Sequence, residues 1–348
     1  MSDRVTVMIS SPLEPEHVAR IAAVDPERVD VLYRPDLMPS PRYVADHGDP
    51  DFRRTPAQDA EWRAMLRRAD VLFDFSLAEG ESPLALSPNL RWVQTTSAGV
   101  GPLVARLGLA DSDLVVTTAS GVHATPLAEF VFAALLHHVK QFGLLAEDQR
   151  ARRWVRFHGT DLRGKTMAIV GPGRIGREIA RLAHAFGMRV WATGRSHDPN
   201  RAAALGVDRL FPRDELAAML AEADCVVVCA PHTPETENLV DRAAIAALKP
   251  GVVFVNIGRG ALVDEEALVE ALREGRIGLA ALDVFRQEPP AADSPFWDLP
   301  NVIVCPHSAS TSDAENRLIT DIFVRNLRHW LDGEVDQMSP VLDKQRRY

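Results

Sequence analysis

The stretch Ala168–Ser196, AIVGPGRIGREIARLAHAFGMRVWATGRS, restricts the fold more than any other part of the chain. Apolar Ala168–Val170 end a buried strand. Gly171, Gly173 and Gly176 then follow as G-x-G-x-x-G. Ile179, Leu182, Ala183 and Phe186 recur at helical spacing, and Arg189–Thr193 reads as a second strand. A strand, helix and strand joined this tightly make a right-handed crossover in a parallel sheet. Each glycine has a mechanical reason: Gly171 for the tight turn, Gly173 for close approach of the backbone to a pyrophosphate, Gly176 for helix–strand packing. The helix then presents unpaired N–H groups at its start, a place for phosphates, and Arg174 adds a charge there.

The end of the second strand selects the cofactor. NAD-binding units place an acid about 20 residues past the motif to hold the ribose hydroxyls. Here Gly194 occupies that position, and no acid stands at Thr193, Gly194, Arg195 or Ser196. Arg195 and Ser196 suit a 2′-phosphate that an acid would repel. The segment therefore predicts NADP(H) as preferred cofactor, with NAD(H) as the alternative.

The same alternation runs through the whole chain. Strands are expected at Val5–Ser10, Val29–Leu32, Val71–Phe75, Trp92–Thr96 and Leu114–Thr118, with helices at Pro15–Ala23, Asp59–Arg68 and Pro126–Phe142. After LRGKT the pattern restarts with Thr166–Val170, Arg189–Thr193, Cys225–Cys229, Val252–Ile257, Leu279–Val284 and Val302–Cys305, followed by a last helix over Thr311–Asp332. At 348 residues the chain exceeds one ordinary core. The expected fold is α/β, with two doubly wound parallel-sheet lobes: a Rossmann cofactor lobe over 120–308 and a flavodoxin-like substrate lobe from 1–119 plus 309–348. The active-site cleft is expected between them.

Three residues at successive strand ends of the second lobe point to chemistry. Arg259 follows VVFVNI within NIGRG, Glu288 follows ALDVF within RQEPP, and His307 follows NVIVC within PHSAS. Reduction of a 2-keto acid needs a cation for the carboxylate, a proton donor for the developing alkoxide, and a partner that keeps the donor protonated. A guanidinium fork matches a carboxylate and keeps its charge. Histidine exchanges protons near neutral pH. A carboxylate beside an imidazole favours the imidazolium and fixes its orientation.

These stretches resemble the D-isomer-specific 2-hydroxyacid dehydrogenase family. The resemblance is carried by VGPGRIGREIA, by HTPETENLVDRAAIAALKPGVVFVNIGRGALVDEEALVEAL, by AALDVFRQEPP and by LPNVIVCPHSAS. Weaker matches are TTSAGVG and PLAEFVFAALL in the first lobe. The resemblance implies that Arg259, Glu288 and His307 are the substrate-binding arginine, the supporting acid and the acid/base histidine. It implies that Asp283 faces the nicotinamide, and that Ile175, Pro231, Ile257 and Gly258 also line the cofactor. It implies that Ser97, Ala98 and Gly99 present backbone N–H groups to the substrate carboxylate; Gly101 stands where many relatives have aspartate. The WATGRS segment is similar to that of the family's NADPH-dependent glyoxylate and hydroxypyruvate reductases. A twofold contact near the helix carrying His137 and His138, and hence a homodimer, is implied in the same way.

Two other readings compete. One is a nucleotide-sensing, corepressor-like binding protein on the same fold. The other is a dehydrogenase of another small acid such as formate or phosphite; the formate enzymes of the family have glutamine at the Glu288 position. A net charge of −9 argues against general nucleic-acid binding, and no apolar run reaches the length of a membrane span. Cys225, Cys229 and Cys305 lack the spacing of a zinc site, so no metal is expected. An odd, sparse cysteine count and an N-terminal segment that reads as a strand suit the cytoplasm.

Overall fold

The computed structural model describes residues 4–49, 51–76, 81–195, 198 and 200–346. The chain forms two compact units: Met1–His123 with Thr311–Tyr348, and Ala124–Ser310.

The first unit is built on five parallel strands: β1 (Val5–Ile9), β2 (Val29–Leu32), β3 (Val71–Phe73), β4 (Trp92–Gln94) and β5 (Val115–Thr117). Their order is β2-β1-β3-β4-β5, the flavodoxin-like winding. Both faces are covered, so the strands read as apolar runs rather than alternating ones. One face holds Met8, Trp62, Leu66, Leu72 and Val93. The other is closed by the late helix Glu315–Leu331, whose Ile319, Phe323 and Leu327 pack with Val7, Ile9, Phe73 and Trp92. Phe323 stacks on Trp92 with centroids 4.9 Å apart. Its truncation to alanine would cost about 3–5 kcal/mol. This is how residues beyond Thr311 belong to the same core as residue 5.

The second unit has seven parallel strands: β6 (Thr166–Val170), β7 (Arg189–Thr193), β8 (Arg209–Phe211), β9 (Cys225–Val228), β10 (Val252–Asn256), β11 (Ile277–Leu282) and β12 (Val302–Val304). Their order is β12-β11-β10-β9-β6-β7-β8. The chain winds outward from β6 through β8, then returns to β9 on the other side of β6. The switch point between β6 and β9 is where ligands bind in such sheets. Along β9, Val226 and Val228 face one core while Cys225 and Val227 face the other.

Most expected strands appear, usually a residue or two shorter. Strand β8 was not anticipated; its three residues are too few to show a period. The helix expected over Pro126–Phe142 ends at Val139, and a second helix runs over Phe142–Arg150. The break is at Gln141, in the left-handed region at φ 55°, with its side-chain amide donating to the His158 carbonyl.

Candidate active site

The glycine loop behaves mechanically as its spacing requires. Gly171 has φ +102°, and a Cβ there would sit 2.5 Å from the Ala230 backbone, so only glycine fits. A Cβ on Gly176 would lie 2.8 Å from the Gly171 carbonyl and 3.1 Å from Ile169, so its absence lets the helix seat on β6. Gly173 differs: no protein atom would meet a Cβ there within 4 Å. Packing within this chain does not call for glycine at 173.

The helix that follows, Arg174–Ala185, starts at Gly173 with no side-chain cap. The first backbone N–H in it with an internal acceptor is that of Arg177, which donates to the Gly173 carbonyl at 3.0 Å. The N–H groups of Arg174, Ile175 and Gly176 have no acceptor among the described residues, as at any uncapped helix start. Behind the loop, the Cys229 thiol donates to the Gly171 carbonyl at 3.1 Å, and burial pushes that thiol up to about 12. It is a packing group, not a nucleophile.

At the end of β7, Thr193 is buried and its hydroxyl donates to the Phe211 carbonyl at 3.1 Å. Arg195 is exposed beside it. Ser196 lies outside the described residues. Pro231, just past β9, is exposed, and its carbonyl accepts from the Thr236 hydroxyl at 2.8 Å. Ile257 is buried, its N–H donating to Val228 at 3.0 Å.

The register of the sheet sets the catalytic candidates side by side. Asn256, Leu282 and Val304 are aligned across β10, β11 and β12. Arg259 lies three residues past Asn256 (259 − 256), and His307 three past Val304 (307 − 304). The outer two strands are about 10 Å apart, two strand spacings.

Arg259 is held by its neighbours' backbone. The buried Asn256 amide accepts from Gly258 N–H at 3.1 Å and donates to the Arg259 carbonyl at 3.2 Å. The Arg259 side chain donates to the Gly258 carbonyl at 2.7 Å and is exposed. Among the described residues no carboxylate forms an ion pair with it. The glycine on its far side has a packing role: a Cβ at Gly260 would fall 2.0 Å from the carbonyl carbon of Phe285. That crossing pins the end of β10 against the turn that carries Glu288.

His307 and Glu288 form a direct pair, Nδ1 to Oε2 at 2.7 Å. A carboxylate only accepts at this contact, so Nδ1 carries a proton and Nε2 is left for exchange with a substrate. The second Glu288 oxygen accepts from Phe285 N–H at 3.0 Å, which fixes the carboxylate plane. His307 has φ 52°, and its N–H donates to the Asp283 carbonyl at 2.9 Å. Asp283 is buried; its Oδ1 accepts from both Ser308 and Ala309 N–H at 2.9 Å. Its visible work is to shape the turn that aims His307. Burial, then a hydrogen bond with Asp283, pushes the Cys305 thiol up to about 11.

Sequence reasoning missed two supports. Glu265 accepts from Arg286 N–H at 2.7 Å, and burial pushes its carboxyl up, with the Glu288 charge acting in the same direction. Arg286 ties the turn to Val263 and Ala261 carbonyls and to Glu237. VDEE read only as the start of a helix, where Asp264 does cap Ala267 N–H at 3.0 Å.

In the first unit, Ser97, Ala98 and Gly99 form the turn after β4. The Ser97 carbonyl accepts from the Thr95 hydroxyl at 2.7 Å and from Ala119 N–H at 3.2 Å. Their own three N–H groups donate to no acceptor among the described residues.

A parallel sheet with this switch point, an uncapped glycine loop and a carboxylate–imidazole pair at neighbouring strand ends define an NAD(P)-binding oxidoreductase. Residues 132–309 match the model of the D-isomer specific 2-hydroxyacid dehydrogenase NAD binding domain. The chain is 36% identical over 258 residues to glyoxylate/hydroxypyruvate reductase B of Pectobacterium carotovorum, covering 72% of this chain and 79% of that protein. It is 39% identical over 289 residues to D-3-phosphoglycerate dehydrogenase of Mycobacterium leprae, over 82% of this chain and 52% of that one. The chain thus spans about half the length of that relative. A D-isomer specific 2-hydroxyacid dehydrogenase from Xanthobacter autotrophicus Py2, solved with NADPH and MES, superposes with TM-score 0.75 at 28% identity over 99% of this chain and 100% of that one. The chain belongs to the D-isomer-specific 2-hydroxyacid dehydrogenase family, a family of oxidoreductases.

Proposed function

We propose that this chain reduces small 2-keto acids of the glyoxylate and hydroxypyruvate type to D-2-hydroxy acids, with NADPH preferred over NADH. The observation that supports the reading is the 2.7 Å Glu288–His307 pair, on a strand end two strands from the one that leads to Arg259, whose guanidinium has no carboxylate partner among the described residues. When bound, the cofactor supplies a hydride to the keto carbon. The residues that would hold it are the N–H groups of Arg174, Ile175 and Gly176, with Arg195 and Ser196 at the ribose. Pro231, Ile257, Gly258 and Asp283 would line its nicotinamide half. The fit rests on Gly173, whose open face suits a pyrophosphate, and on the absence of an acid at 193–196.

In this reading Arg259 takes the substrate carboxylate as a planar fork and orients the carbonyl. His307 gives its Nε2 proton to the carbonyl oxygen as charge develops there. Glu288 holds the Nδ1 proton and offsets the imidazolium charge before transfer. For a substrate carboxylate, the first unit's candidates are the N–H groups of Ser97, Ala98 and Gly99. Each role is worth about 10²–10⁴-fold for the proton donor and less for the orienting groups.

We further propose a cytoplasmic homodimer. Trp154 is 98% exposed, and Phe142, Leu145, Val155 and Phe157 in the same stretch of chain are exposed too, apolar side chains suited to contact with a second copy. No helix of the described residues is long and apolar enough to cross a membrane. The three cysteines are unpaired, which suits a reducing compartment.

The test is a steady-state panel of glyoxylate, hydroxypyruvate, pyruvate, branched and aromatic keto acids with NADPH and NADH. Turnover of the small acids with a lower KM for NADPH supports the reading. Cofactor binding without turnover of any acid would refute it and favour a nucleotide-sensing role.

A further inference from the structure

Two carboxylates, not one, hold the turn that carries Glu288. Phe285 N–H donates to Glu288 at 3.0 Å, and the next N–H along the chain, that of Arg286, donates to Glu265 at 2.7 Å. The two acids grip neighbouring N–H groups, Glu288 from within the turn and Glu265 from outside it. Glu265 is the first residue of the helix Glu265–Arg273, whose Ala267, Leu268, Ala271 and Leu272 lie in the core of the seven-stranded unit. Its carboxylate comes from a rigid element, whereas Glu288 and His307 are exposed.

A lone N–H does not require a charged acceptor. A neutral amide would satisfy Arg286 N–H and lose less on burial. Glu265 is half-buried. Burial pushes its carboxyl up and the Glu288 charge adds to this, while the Arg286 N–H and guanidinium pull it down. The influence between the two acids is mutual, so a charge on Glu265 makes Glu288 a stronger partner for a cation. The cation bonded to Glu288 is the protonated ring of His307, at 2.7 Å. The other charged groups around the turn are engaged. Arg286 pairs with Glu237, which also holds His232, and Asp264 caps Ala267 N–H. Asp283 accepts from Ser308 and Ala309 N–H, and Arg259 donates to the Gly258 carbonyl.

We propose that Glu265 is a positioning residue for the proton donor: it fixes the Phe285–Arg286 peptide against which Glu288 rests, and its negative charge widens the pH range over which His307 keeps its proton. This rests on the 2-keto acid reductase reading above. The proton still passes from His307 to the keto oxygen, and Glu265 neither gives nor takes it.

Glu265→Gln keeps an oxygen for Arg286 N–H and removes the charge. Glu265→Leu removes both. The experiment follows kcat/KM for glyoxylate at saturating NADPH from about pH 6 to pH 10 for wild type and both variants, with a thermal melt of each. In Glu265→Gln the loss of rate on the alkaline side should set in about half a pH unit to one unit lower, because His307 loses its proton sooner. At pH 6 its rate should stay within about twofold of wild type. Glu265→Leu should show the same displacement and a further loss of about tenfold at pH 6, from the slackened turn. A Glu265→Gln profile that overlays wild type, or lies below it by one factor at every pH, would overturn the proposal. A folded Glu265→Leu protein as fast as wild type at pH 6 would do so too. Titration of the His307 ring by NMR, assigned with His307→Ala, reads the same displacement without turnover. A wild type that reduces no keto acid overturns the reductase reading; a His307 ring that titrates at the same pH in wild type and Glu265→Gln overturns the role of Glu265.

Discussion

Alanine at Gly260 should disable the site through the backbone. The added Cβ would lie 2.0 Å from Phe285 C, 2.2 Å from Arg286 N and 2.4 Å from Phe285 O. All three are main-chain atoms, so no rotamer change relieves the overlap. Carbon contacts settle near 3.5–4.0 Å, so the two segments must part by about 1.5 Å. Two hydrogen bonds hold the displaced segment: Phe285 N–H to Glu288 at 3.0 Å and Arg286 N–H to Glu265 at 2.7 Å. Bonds to charged acceptors contribute about 1.5–3 kcal/mol each, so a loss of roughly 3–5 kcal/mol is expected. For a unit of this size that is a fall in Tm of roughly 10 °C. Glu288 would leave His307, and kcat should drop by about 10²-fold or more. Gly173→Ala is the control: its Cβ meets no protein atom within 4 Å. That variant should melt within about 2 °C of wild type and yet bind NADPH more weakly. Thermal unfolding followed by circular dichroism, with kcat at saturating NADPH, reads both. A Gly260→Ala protein with wild-type Tm and turnover would refute the account of this crossing.

Arg195→Ala should raise the Kd of NADPH by on the order of tenfold or more and that of NADH by little, as read by quenching of protein fluorescence. Equal effects would remove the basis for NADP(H). Glu315, in the first unit, accepts from His123 at 3.2 Å and lies 3.7 Å from His47. Burial pushes its carboxyl up, but the two histidines outweigh this and hold it at about 2, against an ordinary 4.5. A lowered folded value means that the ionised form stabilises the fold above about pH 4.5, and that this contribution is lost as the pH falls toward 2. Glu315→Gln should therefore melt below wild type at pH 7, with a gap that narrows below pH 4.5; a gap independent of pH would contradict the assignment.

What could be read from residues alone followed the physics of each element. Strands such as Thr166–Val170 and Arg189–Thr193 were legible because both flanks carry strong signals, a basic turn or a glycine. Arg259, Glu288 and His307 stood out together, each just past an apolar run in the lobe with the dinucleotide motif, and the structure bonds Glu288 to His307. The role of Gly260 was not legible. Its neighbour in space is the backbone of Phe285, 25 residues on (285 − 260), and no local pattern reports such a crossing. Glu265 and Asn256 were hidden for a related reason, since each serves a turn outside its own segment. The break at Gln141 was missed because nothing in VKQFG marks a left-handed residue.

The central claim is that His307 delivers the proton when a 2-keto acid is reduced at these strand ends. It is tested most directly by single-turnover oxidation of enzyme-bound NADPH on mixing with glyoxylate, for wild type and His307→Ala. The account predicts unchanged NADPH binding and a rate at least about 10²-fold slower in the variant. A variant that oxidises NADPH at the wild-type rate would contradict it.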